Sequence, residues 1–150
     1  MKHPIDILER YWNYTAFKPQ QDAIIQSVLD GEDTFGLLPT GGGKSLCFQI
    51  PALSKEGICI VISPLIALMK DQVKSLTNKG IKAMALTSGI SYNELEVLLD
   101  NCIYGNYKFL YLSPERLQQE LVQERIKQMN VNLIAVDEAH CISQWGNDFR

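Results

Sequence analysis

The run Pro39-Thr40-Gly41-Gly42-Gly43-Lys44-Ser45 is built from residue types suited to holding phosphate. Glycines let the backbone curl, so successive N–H groups converge on phosphate oxygens with no Cβ in the way. A helix predicted to follow adds its positive N-terminal end. Lys44 supplies a full charge for the β and γ phosphates of a nucleotide, and Ser45 a hydroxyl for the magnesium ion they carry. The bland alternative is a glycine-rich tight turn with a solvent-facing lysine. Strand, three glycines, Lys-Ser and helix in succession argue against it. One position departs from the general pattern: Leu38 stands where a first glycine belongs.

A second chemically loaded run is Asp137-Glu138-Ala139-His140, directly after the apolar Leu133-Ile134-Ala135-Val136. A carboxylate at a strand's end can hold the magnesium shell, which assigns Asp137 to the metal. The next carboxylate can polarise an attacking water, which assigns Glu138 to general-base work. Two acids are needed because metal binding and proton removal are different tasks. His140 either couples this pair to whatever moves or is a polar loop residue. Joined to a phosphate loop in an alternating chain, the acidic pair points to nucleoside triphosphate hydrolysis.

These residues need a scaffold. Apolar residues at helical spacing predict helices over 5–13, 20–29, 45–53, 65–78, 92–104 and 115–129. Gly31 is expected to end the second. Short apolar runs predict strands over 34–38, 58–62, 82–86, 109–112 and 133–136, continuous as strands covered on both faces are. Strand–helix alternation with Gly and Pro punctuation implies an α/β fold, a parallel sheet flanked by helices with right-handed crossovers. Ligands bind at the carboxyl ends of such strands, and the loaded residues follow Leu38, Ile62, Leu112 and Val136. No repeat, low-complexity tract or linker interrupts the chain, so one continuous domain is expected.

At 150 residues, 46% hydrophobic and 21% charged, the chain can bury a sizeable core and is neither disordered nor fibrous. With a formal net charge of −3, any nucleic acid must be held by a local patch. The longest apolar run, over 58–62, is too short to span a bilayer, and the first residues lack a signal-peptide core. Cys47, Cys59, Cys102 and Cys141 form no CxxC pair, and Cys47 and Cys59 read as small core residues. A reducing cytoplasm is the simplest expectation.

The residues from Pro39 through Ser45, continuing Leu46-Cys47-Phe48-Gln49-Ile50-Pro51-Ala52-Leu53, resemble motif I of the RecQ helicases of superfamily 2. Asp137-Glu138-Ala139-His140-Cys141-Ile142-Ser143-Gln144-Trp145-Gly146 resembles their motif II and the aromatic-rich loop after it. The resemblance covers essentially the whole chain. It implies a RecA-like P-loop lobe, ATP and Mg²⁺ as cofactors, and a 3′-to-5′ DNA helicase acting on single strands and duplex junctions. Helicase versions of the loop relax its first glycine, which accounts for Leu38.

Further segments resemble the family. Tyr14 through Gln21 is similar to its adenine-reading motif, which implies that Tyr14 stacks on the base, Lys18 lies near the nucleotide and Gln21 bonds the adenine edge. A Gln amide has the donor and acceptor that N6 and N7 require. On residue type alone, Tyr14 and Phe17 also read as core aromatics. Ser63-Pro64-Leu65-Ile66-Ala67-Leu68-Met69-Lys70-Asp71-Gln72 resembles motif Ia, and Tyr111-Leu112-Ser113-Pro114-Glu115-Arg116 motif Ib. Ser63 and Ser113 are thereby expected to meet DNA phosphates, and both also read as Ser-Pro helix caps. Gln144-Trp145-Gly146-Asn147-Asp148-Phe149-Arg150 matches the loop that couples DNA binding to hydrolysis. Trp145 and Phe149 offer flat faces for unpaired bases, although Trp145 equally reads as a core anchor. Arg150 can pair with a phosphate or a carboxylate. Asn147 stands where a histidine is common, which keeps a hydrogen bond and loses a charge.

By the same resemblance the chain is expected to be an incomplete lobe. A second motor lobe with its arginine finger, the zinc-binding and winged-helix regions, and the motif after the acidic pair are not among its residues. The family's next strand normally inserts between the phosphate-loop strand and the acidic-pair strand. A gap in the sheet and a marginal, aggregation-prone chain are therefore expected. Two other readings stand beside the motor lobe: a catalytically silent nucleotide-binding fragment or regulatory module, and a different P-loop enzyme. The tandem of segments disfavours the last. Oligomeric state is not legible.

Overall fold

The computed structural model describes residues 2–30 and 45–136. The chain divides into two compact units, Met1–Glu56 and Gly57–Arg150. Gly31 and the strand expected over 34–38 lie outside the described residues.

The first unit contains α1 (Pro4–Trp12), α2 (Gln21–Leu29) and α3 (Leu46–Ser54). Pro4 opens α1, where its missing N–H costs nothing. Asn13, left-handed at φ 60°, closes α1 and returns its N–H to the Glu9 carbonyl. Ile7, Leu8, Ile25, Leu46 and Ile50 form the core, with Tyr11, Trp12 and Phe17 packed against it. α3 is buried on most of its sides and carries Pro51 within it. Proline there removes a helical donor and crowds the preceding turn. The helix stops three residues later, at Ser54, whose hydroxyl donates to the Ile50 carbonyl at 3.1 Å.

The second unit runs β1 (Ile58–Ile62), α4 (Ile66–Asn78), β2 (Ala83–Leu86), α5 (Tyr92–Tyr104), β3 (Phe109–Leu112), α6 (Pro114–Leu117), α7 (Glu120–Ile126) and β4 (Val131–Val136). The strands form one parallel sheet in the order β2-β3-β1-β4. Period-two alternation sorts its faces. Ile58, Ile60, Ile62, Met84, Leu86, Leu110 and Leu112 pack with Leu95, Leu99 and Cys102 of α5 and Val122 of α7. From the opposite face, the Tyr111 hydroxyl donates to Gln72 Oε1 of α4 at 2.7 Å. The connections β2 to β3 and β3 to β4 advance across the sheet and use one face. The connection β1 to β2 runs back and uses the other, as a single crossover hand requires.

Two differences from the expected elements have causes in side-chain bonding and strand pairing. The helix expected over 115–129 is two helices, broken at Gln118 and Gln119, where Gln119 turns extended. No Gly or Pro marks the break. Instead the Gln123 side-chain amide donates to the Leu117 carbonyl at 2.9 Å, satisfying an acceptor that the end of α6 leaves open. β4 begins two residues before the expected strand. Ile58 pairs with Val131 but Cys59 with Leu133, so Asn132 is the extra residue of a bulge. A polar residue inside an apolar run had concealed the strand's start.

Candidate functional site

In the first unit the adenine-type segment is a turn between α1 and α2. Gln20, left-handed at φ 76°, precedes α2. The Lys18 backbone N–H donates to Gln21 Oε1 at 2.9 Å. A backbone N–H can only donate, so this bond fixes the amide with its oxygen toward the turn and its NH₂ away from it. Gln21 is 2% exposed, so its polar head is held within the fold. The two aromatics separate. Phe17 packs on the core, as the bland reading had it. Tyr14 is 56% exposed, so the core reading fails for it and its ring face is open to a partner.

Ser45 stands at the N-cap of α3 in αR conformation and makes no side-chain capping bond. Its carbonyl accepts from Gln49 at 2.9 Å and Phe48 at 3.2 Å. A capping side chain needs a non-helical backbone, so the missing cap bond follows from the helical conformation of Ser45. Thr40, Gly41, Gly42, Gly43 and Lys44 lie outside the described residues.

In the second unit the strands end in register. Leu86 pairs with Leu112, Leu112 with Ile62, and Ile62 with Val136. The residues next in sequence are Thr87, Ser113, Ser63 and Asp137, of which the last lies outside the described residues. Ser113 caps α6: its Oγ accepts from the Arg116 N–H at 3.3 Å, with Pro114 at the first helical position. Ser63 does not cap α4. It is 1% exposed, its Oγ accepts from the Leu65 N–H at 3.2 Å, and Leu65 is the residue before the helix. Leu65 and Ile66, just after Ser63 and Pro64, are 48% and 38% exposed. Arg116, given no role by the sequence, donates to the Thr87 carbonyl at 2.7 Å and to Gln119 at 3.1 Å. It fastens the loop after β2 to the loop after β3. Its place in Ser-Pro-Glu-Arg, one turn into a capped helix, was the available signal.

Glu138, His140, Gln144, Trp145, Phe149 and Arg150 also lie outside the described residues. Cys47, Cys59 and Cys102 are free and buried. Burial raises all three thiols, that of Cys102 to about 12, so none is a ready nucleophile near neutral pH. No helix among the described residues is long and apolar enough to cross a membrane.

Comparison with known proteins gives the class. Residues 18–150 match the DEAD/DEAH box helicase family, and the chain belongs to it. The parallel sheet with helices on both faces agrees with the RecA-like lobe of such proteins. Among individual relatives, the chain is 48% identical to the probable ATP-dependent DNA helicase RecS of Bacillus subtilis, over 95% of its own length and 29% of the relative's. It is 48% identical to the ATP-dependent DNA helicase RecQ of the same organism, over 96% of itself and 24% of that protein. With the RecQ helicase of Pasteurella multocida it shares 44% identity over 97% of itself and 23% of that protein. The chain thus spans under a third of the length of these relatives.

Proposed function

We propose that the chain is the ATP-binding lobe of a RecQ-type DNA helicase, moving 3′ to 5′ on DNA and coupling ATP hydrolysis to strand separation. The common ending of β1, β3 and β4 supports the reading most directly, because the next residues are Ser63, Ser113 and Asp137. A register of that kind brings motif-bearing loops to one edge, where parallel sheets bind ligands.

In this reading Gly41, Gly42 and Gly43 present backbone N–H groups to phosphate oxygens, with Thr40 at the start of the turn, and Lys44 neutralises the β and γ oxygens. Ser45 and Asp137 hold magnesium, and Glu138 accepts a proton from the attacking water. Bound Mg·ATP supplies an electrophilic γ-phosphorus and a polarised leaving group. Gln21, oriented by the Lys18 N–H, reads the adenine edge, and exposed Tyr14 covers the base. Lys18 adds charge nearby. Ser63, through its turn backbone, and Ser113 meet DNA phosphates. His140, Gln144, Trp145, Phe149 and Arg150 link DNA contact to hydrolysis. The chain acts where DNA is, in the cytoplasm of a bacterial-type cell.

A second reading is a nucleotide-binding module without turnover, because Lys44, Asp137 and Glu138 would serve binding as well as hydrolysis. Phosphate release measured with and without single-stranded DNA, beside Lys44→Ala, separates the two. DNA-stimulated release abolished by Lys44→Ala supports the motor lobe. Mg·ATP binding with no release supports the module. DNA-independent release that survives Lys44→Ala contradicts both.

A further inference from the structure

Among the described residues β2 pairs with β3 alone and is the outermost strand of its sheet. The Lys82 carbonyl accepts from the Lys108 N–H at 2.8 Å, so the backbone groups of even-numbered residues here face β3. Strand geometry then turns the N–H and C=O groups of Ala83 and Ala85 outward. A row of this kind is a template for a further strand. Beside it α4 and β2 enclose an open groove of about 430 Å³, with Lys70, Val73, Lys74, Ala83 and Ala85 in its lining. The alanines make the groove, since longer side chains at those positions would fill it. Lys70 and Lys74, both exposed, stand one helical turn apart and so share a rim.

We propose that this groove binds an extended acidic segment of a partner protein, which adds to β2 as a strand. Main-chain hydrogen bonds to Ala83 and Ala85 give it register. An added strand turns only alternate side chains toward α4, so that one row carries both apolar groups, over the two methyls and Val73, and carboxylates, toward Lys70 and Lys74. A nucleic-acid backbone suits the lysines but not the rest. It repeats charge at every nucleotide and offers nothing apolar to an alanine and valine floor. Lysines beside a short edge strand also deter stray pairing, but a deterrent has no need of an open groove next to them.

Fluorescence anisotropy with the 150-residue chain and an eight-residue, fluorescein-labelled valine–aspartate peptide, (Val-Thr-Asp-Thr) repeated so that one face carries both valine and aspartate, tests the proposal. Saturable binding is expected, and a valine–lysine peptide is expected not to bind. Lys70→Glu combined with Lys74→Glu should weaken binding by about tenfold or more, through lost attraction and new repulsion. Ala85→Pro should weaken it comparably, because it deletes an outward N–H while the ladder to β3 stays intact. Circular dichroism melts report whether each variant is folded. If Ala85→Pro unfolds the chain, the surface charge reversal decides alone. Three results would overturn the proposal: no saturable binding of the valine–aspartate peptide, equal binding by the charge-reversed chain, or displacement of the peptide by single-stranded oligothymidylate.

Discussion

Tyr14 and Gln21 belong to one short segment and do opposite structural work, which makes them separable by experiment. Tyr14 is 56% exposed, so Tyr14→Ala should change stability by no more than about 0.5 kcal/mol. The same variant should weaken ATP binding by roughly tenfold, the loss of one stacked base face. Gln21→Ala removes the acceptor of the Lys18 N–H and should cost about 1 kcal/mol in a urea melt. A Tyr14→Ala chain that melts early but binds ATP normally would return that ring to the core. The cysteines give a pH prediction at the same scale. Burial raises the Cys102 thiol from an ordinary value of 9.0 to about 12. The folded chain therefore keeps a proton that the unfolded chain releases. This contribution is complete below about pH 9 and is lost as pH climbs toward about 12. Within that window the loss is at most about 1.4 kcal/mol per pH unit per thiol. Cys102→Ala should flatten the alkaline decline of the melting temperature. An unchanged slope would mean that the thiol is not shielded.

Periodicity located the elements whose cause is local. β1, β3 and α5 begin and end where their residues dictate, α5 opening at Ser91, whose Oγ accepts from the Glu94 N–H at 3.2 Å. What periodicity missed was set by side-chain bonds and strand pairing that apolar spacing does not carry. The break between α6 and α7 depends on Gln123 reaching Leu117, and the bulge at Asn132 on pairing with β1. The same division runs through the candidate site. The Ser113 cap is written in Ser-Pro, but the identical dipeptide at Ser63 becomes a turn, because α4 begins two residues later than a Ser63 cap would place it. Arg116 gains its role only when β2 and β3 end side by side. Gly57 shows how a strand's start can rest on one residue. It has φ +104°, and a Cβ there would lie 2.2 Å from the Asn130 carbonyl oxygen. The next residue, Ile58, donates its N–H to that carbonyl at 2.9 Å. Gly57→Ala should cost about 1–3 kcal/mol in a denaturant melt. A neutral result would show that β1 and β4 can begin without this approach.

Across the whole molecule the sheet is covered unevenly. β1 and β3 are buried along their full length, whereas β4 is half-buried and Ile134 is 55% exposed. Among the described residues β4 pairs only with β1. The outward apolar side chain of Ile134 should make the chain self-associate at micromolar concentration. Ile134→Lys should reduce light scattering without lowering the melting temperature. A wild-type chain that stays monomeric and melts in one sharp transition would contradict this. A motor lobe of this kind must bind nucleotide through its phosphate loop, and titration with a fluorescent ATP analogue measures that binding. Saturable, magnesium-dependent binding is predicted, competed by ATP and weakened by about tenfold or more in Lys44→Ala, which loses a charge-assisted phosphate contact. Equal binding by the wild-type and Lys44→Ala chains, or none by a chain shown to be folded, would contradict the central claim.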